Sequence, residues 1–180
     1  MKLIRNQYYH IFNRTNNEEL LFRSDENYIF FLKKYRYYMD EYFETIAYCL
    51  MPTHFHFLIR VKNDDIKYKT ALAILLSSYT KALNKRFDRH GSLFQTRTKS
   101  ILVPNDKYLL TLIAYIHQNP IRSKLVEKQE QWKYSSYQDY TGSRAGSLPN
   151  YKHILELFNL SKNDFHQFSQ RLLDKSNLSL

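Results

Sequence analysis

Between Gln7 and Val103 the spacing of apolar residues switches repeatedly between two periods, and the order of those switches restricts the fold more than any other feature. Residues 7–14 (Gln-Tyr-Tyr-His-Ile-Phe-Asn-Arg) are rich in aromatic and β-branched side chains and read as a strand. A polar loop covers 15–23. Ser24 is then placed to cap a helix whose apolar positions Tyr28, Phe31, Leu32, Tyr35 and Met39 recur at three- and four-residue spacing. Residues 44–50 read as a strand, Met51-Pro52-Thr53 as a break and His54–Val61 as a further strand, so this pair forms a hairpin. A long amphipathic helix follows over 66–87, with Ile66, Ala73, Ile74, Ser77, Ala82 and Leu83 as inward candidates. It stops at His90-Gly91-Ser92, and Leu93–Val103 reads as a fourth strand.

The order strand, helix, strand, strand, helix, strand is a split βαβ. It predicts an α+β, ferredoxin-like fold, an antiparallel sheet with helices on one face. Another helix is expected after Pro104, from Asp106 to Gln118, ended by Asn119-Pro120 because proline disfavours helix at the residue before it. Residues 121–149 read as irregular, with turn signals at Thr141-Gly142-Ser143 and Ala145-Gly146-Ser147. A helix or helix pair fills 151–173, where Ser161-Lys-Asn-Asp164 has the form of a capping box.

Charge narrows the function classes. Lys and Arg number 27 against 17 Asp and Glu, a formal net charge of +10, which attracts polyanions and makes nucleic acid the first candidate partner. The excess is uneven. Residues 81–99 hold Lys81, Lys85, Arg86, Arg89, Arg97 and Lys99 against Asp88 alone, whereas 150–180 are near neutral. An apolar share of 43% supports a packed core and excludes a disordered basic tail. Cys49 is the single cysteine, so disulfide frameworks and Cys-rich zinc sites are excluded. No apolar run suits a membrane span, and Met1-Lys-Leu-Ile-Arg lacks the apolar stretch of a signal peptide. The expected setting is therefore the cytoplasm, with no membrane partner.

Two local features carry chemistry. In Met51-Pro-Thr-His-Phe-His56, strand alternation points His54 and His56 the same way, so two imidazoles can share one divalent metal; two surface histidines give the same pattern. In Ala114-Tyr-Ile-His-Gln-Asn-Pro120, Tyr115 and Asn119 are four apart on one helical face. Asn119 can add an amide oxygen to a site begun by the histidines, with the Tyr115 phenol beside it. A packed tyrosine and a helix-terminal asparagine are the bland alternative. Taken together with a basic surface, the parts suit tyrosine attack on a nucleic-acid phosphodiester, since a phenol needs help to act as a nucleophile at neutral pH.

Those residues resemble the single-tyrosine HUH transposases, in which a hydrophobic residue separates two histidines. His54-Phe55-His56 matches that triplet, with Thr53 where relatives commonly have Asn. The resemblance continues through Gly91-Ser-Leu-Phe-Gln-Thr-Arg97, Tyr115–Val126, Trp132–Tyr137 and Tyr140-Thr-Gly142, over roughly residues 5–142. The later segments and Asn119 look most like the REP-associated tyrosine transposases.

The resemblance implies a transposase-like single-stranded DNA endonuclease and strand-transferase that works through a 5′-phosphotyrosine link next to palindromic hairpins. It implies Tyr115 as nucleophile, with His54, His56 and Asn119 holding Mg²⁺ or Mn²⁺ and Gln118 a poorer substitute ligand. Arg14, Lys81, Lys85, Arg86, Arg89, Arg97 and Lys99 are the expected DNA contacts, and a homodimer is one possible state. On this reading residues 1–122 form the catalytic domain, including an added nucleophile-bearing helix. Residues 123–180 form a C-terminal extension, irregular and then helical. Two other readings stand beside it: a non-catalytic nucleic-acid-binding protein on the same fold, and a zinc hydrolase using His54, His56 and His10 or His117.

Overall fold

The computed structural model describes residues 2–63 and 65–174, the side chains of 173 and 174 apart. Strands β1 (Tyr8–Arg14), β2 (Phe43–Met51), β3 (His54–Val61) and β4 (Lys99–Leu102) form one antiparallel sheet in the order β2-β3-β1-β4. This is the ferredoxin-like order expected from the periodicity. The long helices α1 (Asp25–Met39) and α2 (Tyr68–Phe87) lie between the strands as predicted.

The alternation in β3 divides the molecule into two layers of core. Phe55, Phe57, Ile59 and Val61 join Tyr9 and Ile11 of β1 under α1 and α2. Tyr35 of α1 stacks on Phe57 with ring centroids 3.8 Å apart, and Phe31 packs on Phe55 at 5.3 Å. The opposite face carries Leu58 of β3 with Ile46, Ala47, Cys49 and Met51 of β2, covered by α3 (Asp106–Arg122) through Leu109, Leu112, Ile113 and Ile116.

Four local expectations differ from what is observed. Of the inward candidates for α2 only Leu83 is buried; Ile66, Ala73, Ile74 and Ser77 are exposed, and Leu75 and Tyr79 turn to the core instead. The fourth strand is shorter than 93–103. Leu93 and Phe94 turn into the first core, and the Asn13 side chain donates to the Gln95 carbonyl (3.2 Å) and Thr98 Oγ1 (3.0 Å). Residues 95–98 lie outside β4, although Phe94 bridges to Thr15 and the Gln95 N–H still donates to the Arg14 carbonyl at 2.9 Å. Helix α3 does not stop at Gln118 but carries Pro120 inside it and runs to Arg122. Ser24 occupies the N-cap of α1, but its hydroxyl makes no capping bond; Asn27 Oδ1 accepts the Arg23 N–H at 3.1 Å instead. The capping box at Ser161 and Asp164 does form, each side chain accepting the other's backbone N–H (3.1 and 2.9 Å) at the start of α6 (Lys162–Asp174).

Residues 123–149 are irregular apart from a 3-10 turn (Gln129–Gln131) and the short α4 (Tyr137–Thr141); α5 (Tyr151–Leu157) follows. This stretch closes the outer edge of β2. Leu50 N–H donates to the Tyr134 carbonyl and Ser136 N–H to the Tyr48 carbonyl, at 2.9 and 3.0 Å. Trp132 Nε1 and the Tyr140 hydroxyl donate to the Leu50 and Ile46 carbonyls. A strand edge that would otherwise invite foreign pairing is thereby occupied.

Arg144 fastens the segment. It donates to both oxygens of the fully buried Asp139 (3.0 and 2.6 Å), to the Lys133 and Ser135 carbonyls and to the Tyr48 hydroxyl. Gly146 is required here, because a Cβ would sit 2.6 Å from Asp139 Oδ1, which accepts the Gly146 N–H. Removing one partner of a buried pair strands the other's charge. Arg144→Ala is expected to cost about 3–5 kcal/mol in urea denaturation; a loss under about 1 kcal/mol would mean the carboxylate finds other compensation.

Candidate active site

The sheet register gathers the chemistry into two rows. Met51, His54 and Arg14 lie side by side across β2, β3 and β1. Cys49, His56, Phe12 and Lys99 form the next row, reaching β4. Directly paired residues project to one face, here the face away from α1 and α2. The His54 and His56 rings stand edge to face with centroids 5.0 Å apart. Helix α3 crosses the same face, and the i, i+4 spacing brings Tyr115 and Asn119 down beside them.

The result is a cleft of about 330 Å³ bordered by Tyr115, His54, His56 and Asn119 together with Arg14, Arg97 and Lys99. Phe12, Asn13 and Gln95 complete the lining. The break in the fourth strand is what turns Gln95 and Arg97 inward. The remaining cations named from the sequence lie on and just after α2, outside this lining. Lys81 and Lys85 are exposed, Arg86 pairs with Glu26 and Arg89 with Glu19, both at 2.8 Å.

Each histidine is tied through one nitrogen. His54 Nδ1 shares a hydrogen bond with the Thr53 hydroxyl (3.1 Å), and His56 Nδ1 shares one with His10 Nε2 (2.9 Å). His56 Nε2 is buried and has no partner. Burial holds His54 below the ordinary imidazole range, the Arg14 cation adding to it. Burial, then the neighbouring His10 and His54, push His56 further down. His10 is lowered to about 4 by burial. In all three rings the shift favours the neutral imidazole, the form that binds metals.

The other candidate ligands are engaged elsewhere. His117 is buried against the Ser136 hydroxyl at 2.7 Å. Gln118 donates to the Ser169 carbonyl and accepts from Arg122, so both ends of its amide are used away from the cleft. His10 meets His56 through the hydrogen bond and does not line the cleft. Among the described residues no three His, Cys, Asp or Glu side chains group in a way that could hold a metal ion. Asn119, which borders the cleft, offers a carboxamide oxygen as a further protein donor beside the two imidazoles. The unpartnered His56 nitrogen and two neutral imidazoles fit such a mixed nitrogen and oxygen set. The Arg122 guanidinium lies over the Tyr115 ring, 5.6 Å from its centroid.

Phe12, Asn13 and Gln95 were not singled out as cleft or support residues from sequence, and His10 entered only as a third ligand in the zinc-hydrolase reading. For His10 and Phe12 the signal was present, since they alternate along β1 as His54 and His56 do along β3. For Gln95 it lay in the matched Phe94–Arg97 segment. Asn13 gave no sign, because its effect on the fourth strand depends on where that strand runs.

A ferredoxin-like sheet with His-x-His on a central strand, faced by a tyrosine-bearing helix, is the arrangement expected from the sequence resemblance. The comparisons narrow this. A Haemophilus influenzae protein assigned to the REP-associated tyrosine transposases is 31% identical over 117 residues, a match spanning 59% of this chain and 66% of the relative. A solved REP-associated tyrosine transposase bound to a REP hairpin has the same fold, with a TM-score of 0.64 at 17% identity over 83% of this chain and 92% of that one. No family model matches the chain. By sequence and fold, the chain is a relative of the REP-associated tyrosine transposases.

Proposed function

We propose that the protein is a metal-dependent single-stranded DNA endonuclease and strand-transferase that acts beside hairpins, with Tyr115 as the nucleophile. The observation that carries this reading is the meeting of Tyr115, His54, His56 and Asn119 on one cleft with three cations. The solved relative's REP hairpin supports hairpin DNA as the partner. Residues 1–122 would carry the catalytic machinery, with the extension bracing α3.

In this reading the Tyr115 phenol oxygen attacks a backbone phosphorus and gives up its proton. The bond to the 3′ oxygen breaks, that oxygen takes a proton, and the 5′ side stays on Tyr115 as a phosphotyrosine. Attack by a 3′-hydroxyl reverses the exchange and reseals DNA. Each step forms one phosphodiester bond as it breaks another, so no nucleotide is consumed. His54, His56 and Asn119 would hold a divalent cation, Mg²⁺ or Mn²⁺, which when bound would polarise the scissile phosphate. Arg14, Arg97 and Lys99 hold the strand and offset the phosphate's charge, and Arg122 over the ring keeps Tyr115 in place.

Incubation with hairpin-flanking single-stranded oligonucleotides and Mn²⁺ should give a covalent adduct that survives denaturing electrophoresis. Tyr115→Phe should abolish the adduct and keep binding within about twofold, because one hydroxyl is removed from a wide contact surface; a cleaving Phe variant would refute the nucleophile. The cleft cations make a second prediction. Replacing Arg97 and Lys99 together by Ala should lower the slope of log K against log salt by roughly 1.4, at about 0.7 per single-strand phosphate contact. Arg86→Ala, which loses a cation already paired with Glu26, should change it less. Equal slopes for the two variants would mean the strand does not run through the cleft.

A further inference from the structure

Asn119 stands directly before Pro120, and the two residues solve one hydrogen-bonding problem together. Pro120 lies inside α3. Proline has no N–H, so the carbonyl four residues earlier, that of Ile116, lacks its helical donor. Asn119 Nδ2 fills the gap, donating to the Ile116 carbonyl at 3.3 Å and to the Tyr115 carbonyl at 3.0 Å. Both partners are acceptors only, so the nitrogen end of the amide must face them. Its oxygen is left facing away from the helix backbone, at a residue that borders the cleft with His54 and His56.

We propose that Pro120 is a positioning residue for Asn119. By withholding an N–H, it reserves the Ile116 carbonyl for the Asn119 amide, which holds Oδ1 ready for the cation that the histidines bind. The inference rests on the reading of Asn119 as a ligand. It also accounts for a proline within a helix that continues past it: the lost backbone bond is replaced by a side-chain bond that orients a functional group. A residue with an N–H at 120 would compete for the Ile116 carbonyl and weaken the 3.3 Å bond, leaving the amide held chiefly by the Tyr115 carbonyl and less firmly fixed.

The test compares full-length Tyr115→Phe protein, which should not cleave, with and without Pro120→Ala or Asn119→Ala, by Mn²⁺ titration with saturating hairpin-flanking oligonucleotide, followed by electron paramagnetic resonance, alongside thermal unfolding. The Asn119 side-chain amide is followed by NMR in metal-free protein. Proline in a helix interior is unfavourable relative to alanine, so Pro120→Ala should keep or raise Tm. It should nonetheless bind Mn²⁺ about tenfold more weakly, the scale seen when a ligand loses its orienting partner. Its Asn119 amide protons should lose their hydrogen-bonded shift and exchange faster. Unchanged Mn²⁺ binding and an unchanged amide in Pro120→Ala would overturn the positioning role, as would a joint fall in Tm and binding, which marks a merely structural residue. Unchanged binding in Asn119→Ala would instead overturn the ligand reading beneath it, so the two failures are distinguishable.

Discussion

The pairing of β1 with β3 is the constraint on which the site depends. It sets Arg14 against His54 and Phe12 against His56, and β4 extends the second row to Lys99. Because side chains alternate, a slip of one residue would send both histidines into the aromatic core and push Phe55 and Phe57 out of it. Each large apolar side chain buried is worth about 1.5–3 kcal/mol, and buried imidazoles without partners add a further penalty. The helix-side core, with Tyr35 on Phe57 and Phe31 on Phe55, therefore fixes the chemistry on the far side of the sheet.

The second requirement is that α3 stay seated, because Tyr115 and Asn119 reach the cleft only from there. The irregular segment after α3 supplies this hold. The Ser136 hydroxyl meets both the Tyr48 N–H of β2 and the His117 ring of α3, joining sheet and helix through one buried group. Phe165 of α6 and Ile154 of α5 then add to the same core as Ile113 and Ile116. The near-neutral end of the chain is thus tied to the cleft by packing, not by charge.

Much of this was legible in the sequence. The order of strands and helices followed from apolar period, though the buried face of α2 did not, and the four residues of the candidate centre came from spacing joined to a family resemblance. What escaped was set by tertiary hydrogen bonds that no local pattern encodes. The fourth strand is interrupted where the Asn13 side chain bonds the Gln95 carbonyl and the Thr98 hydroxyl, and α3 passes Pro120 with the Asn119 side chain standing in for a missing donor. Position within the run 81–99 did not distinguish Arg97 and Lys99, which reach the cleft, from Arg86 and Arg89, which are paired elsewhere. Density of charge along the chain says little about which acids lie nearby in space.

That distinction bears on the proposed chemistry. Arg14, Arg97 and Lys99 border the cleft, and among the described residues no Asp or Glu does. The donors of the proposed metal set, two imidazoles and an amide, carry no charge. A divalent cation entering alone would meet three positive side chains with nothing to balance them, whereas a phosphate strand in the cleft reverses the local sign. In the proposed reading, DNA and metal therefore raise each other's affinity, and by linkage the effect is equal in both directions. The cleft's excess of positive charge then does more than attract a strand: it disfavours the metal until that strand is present.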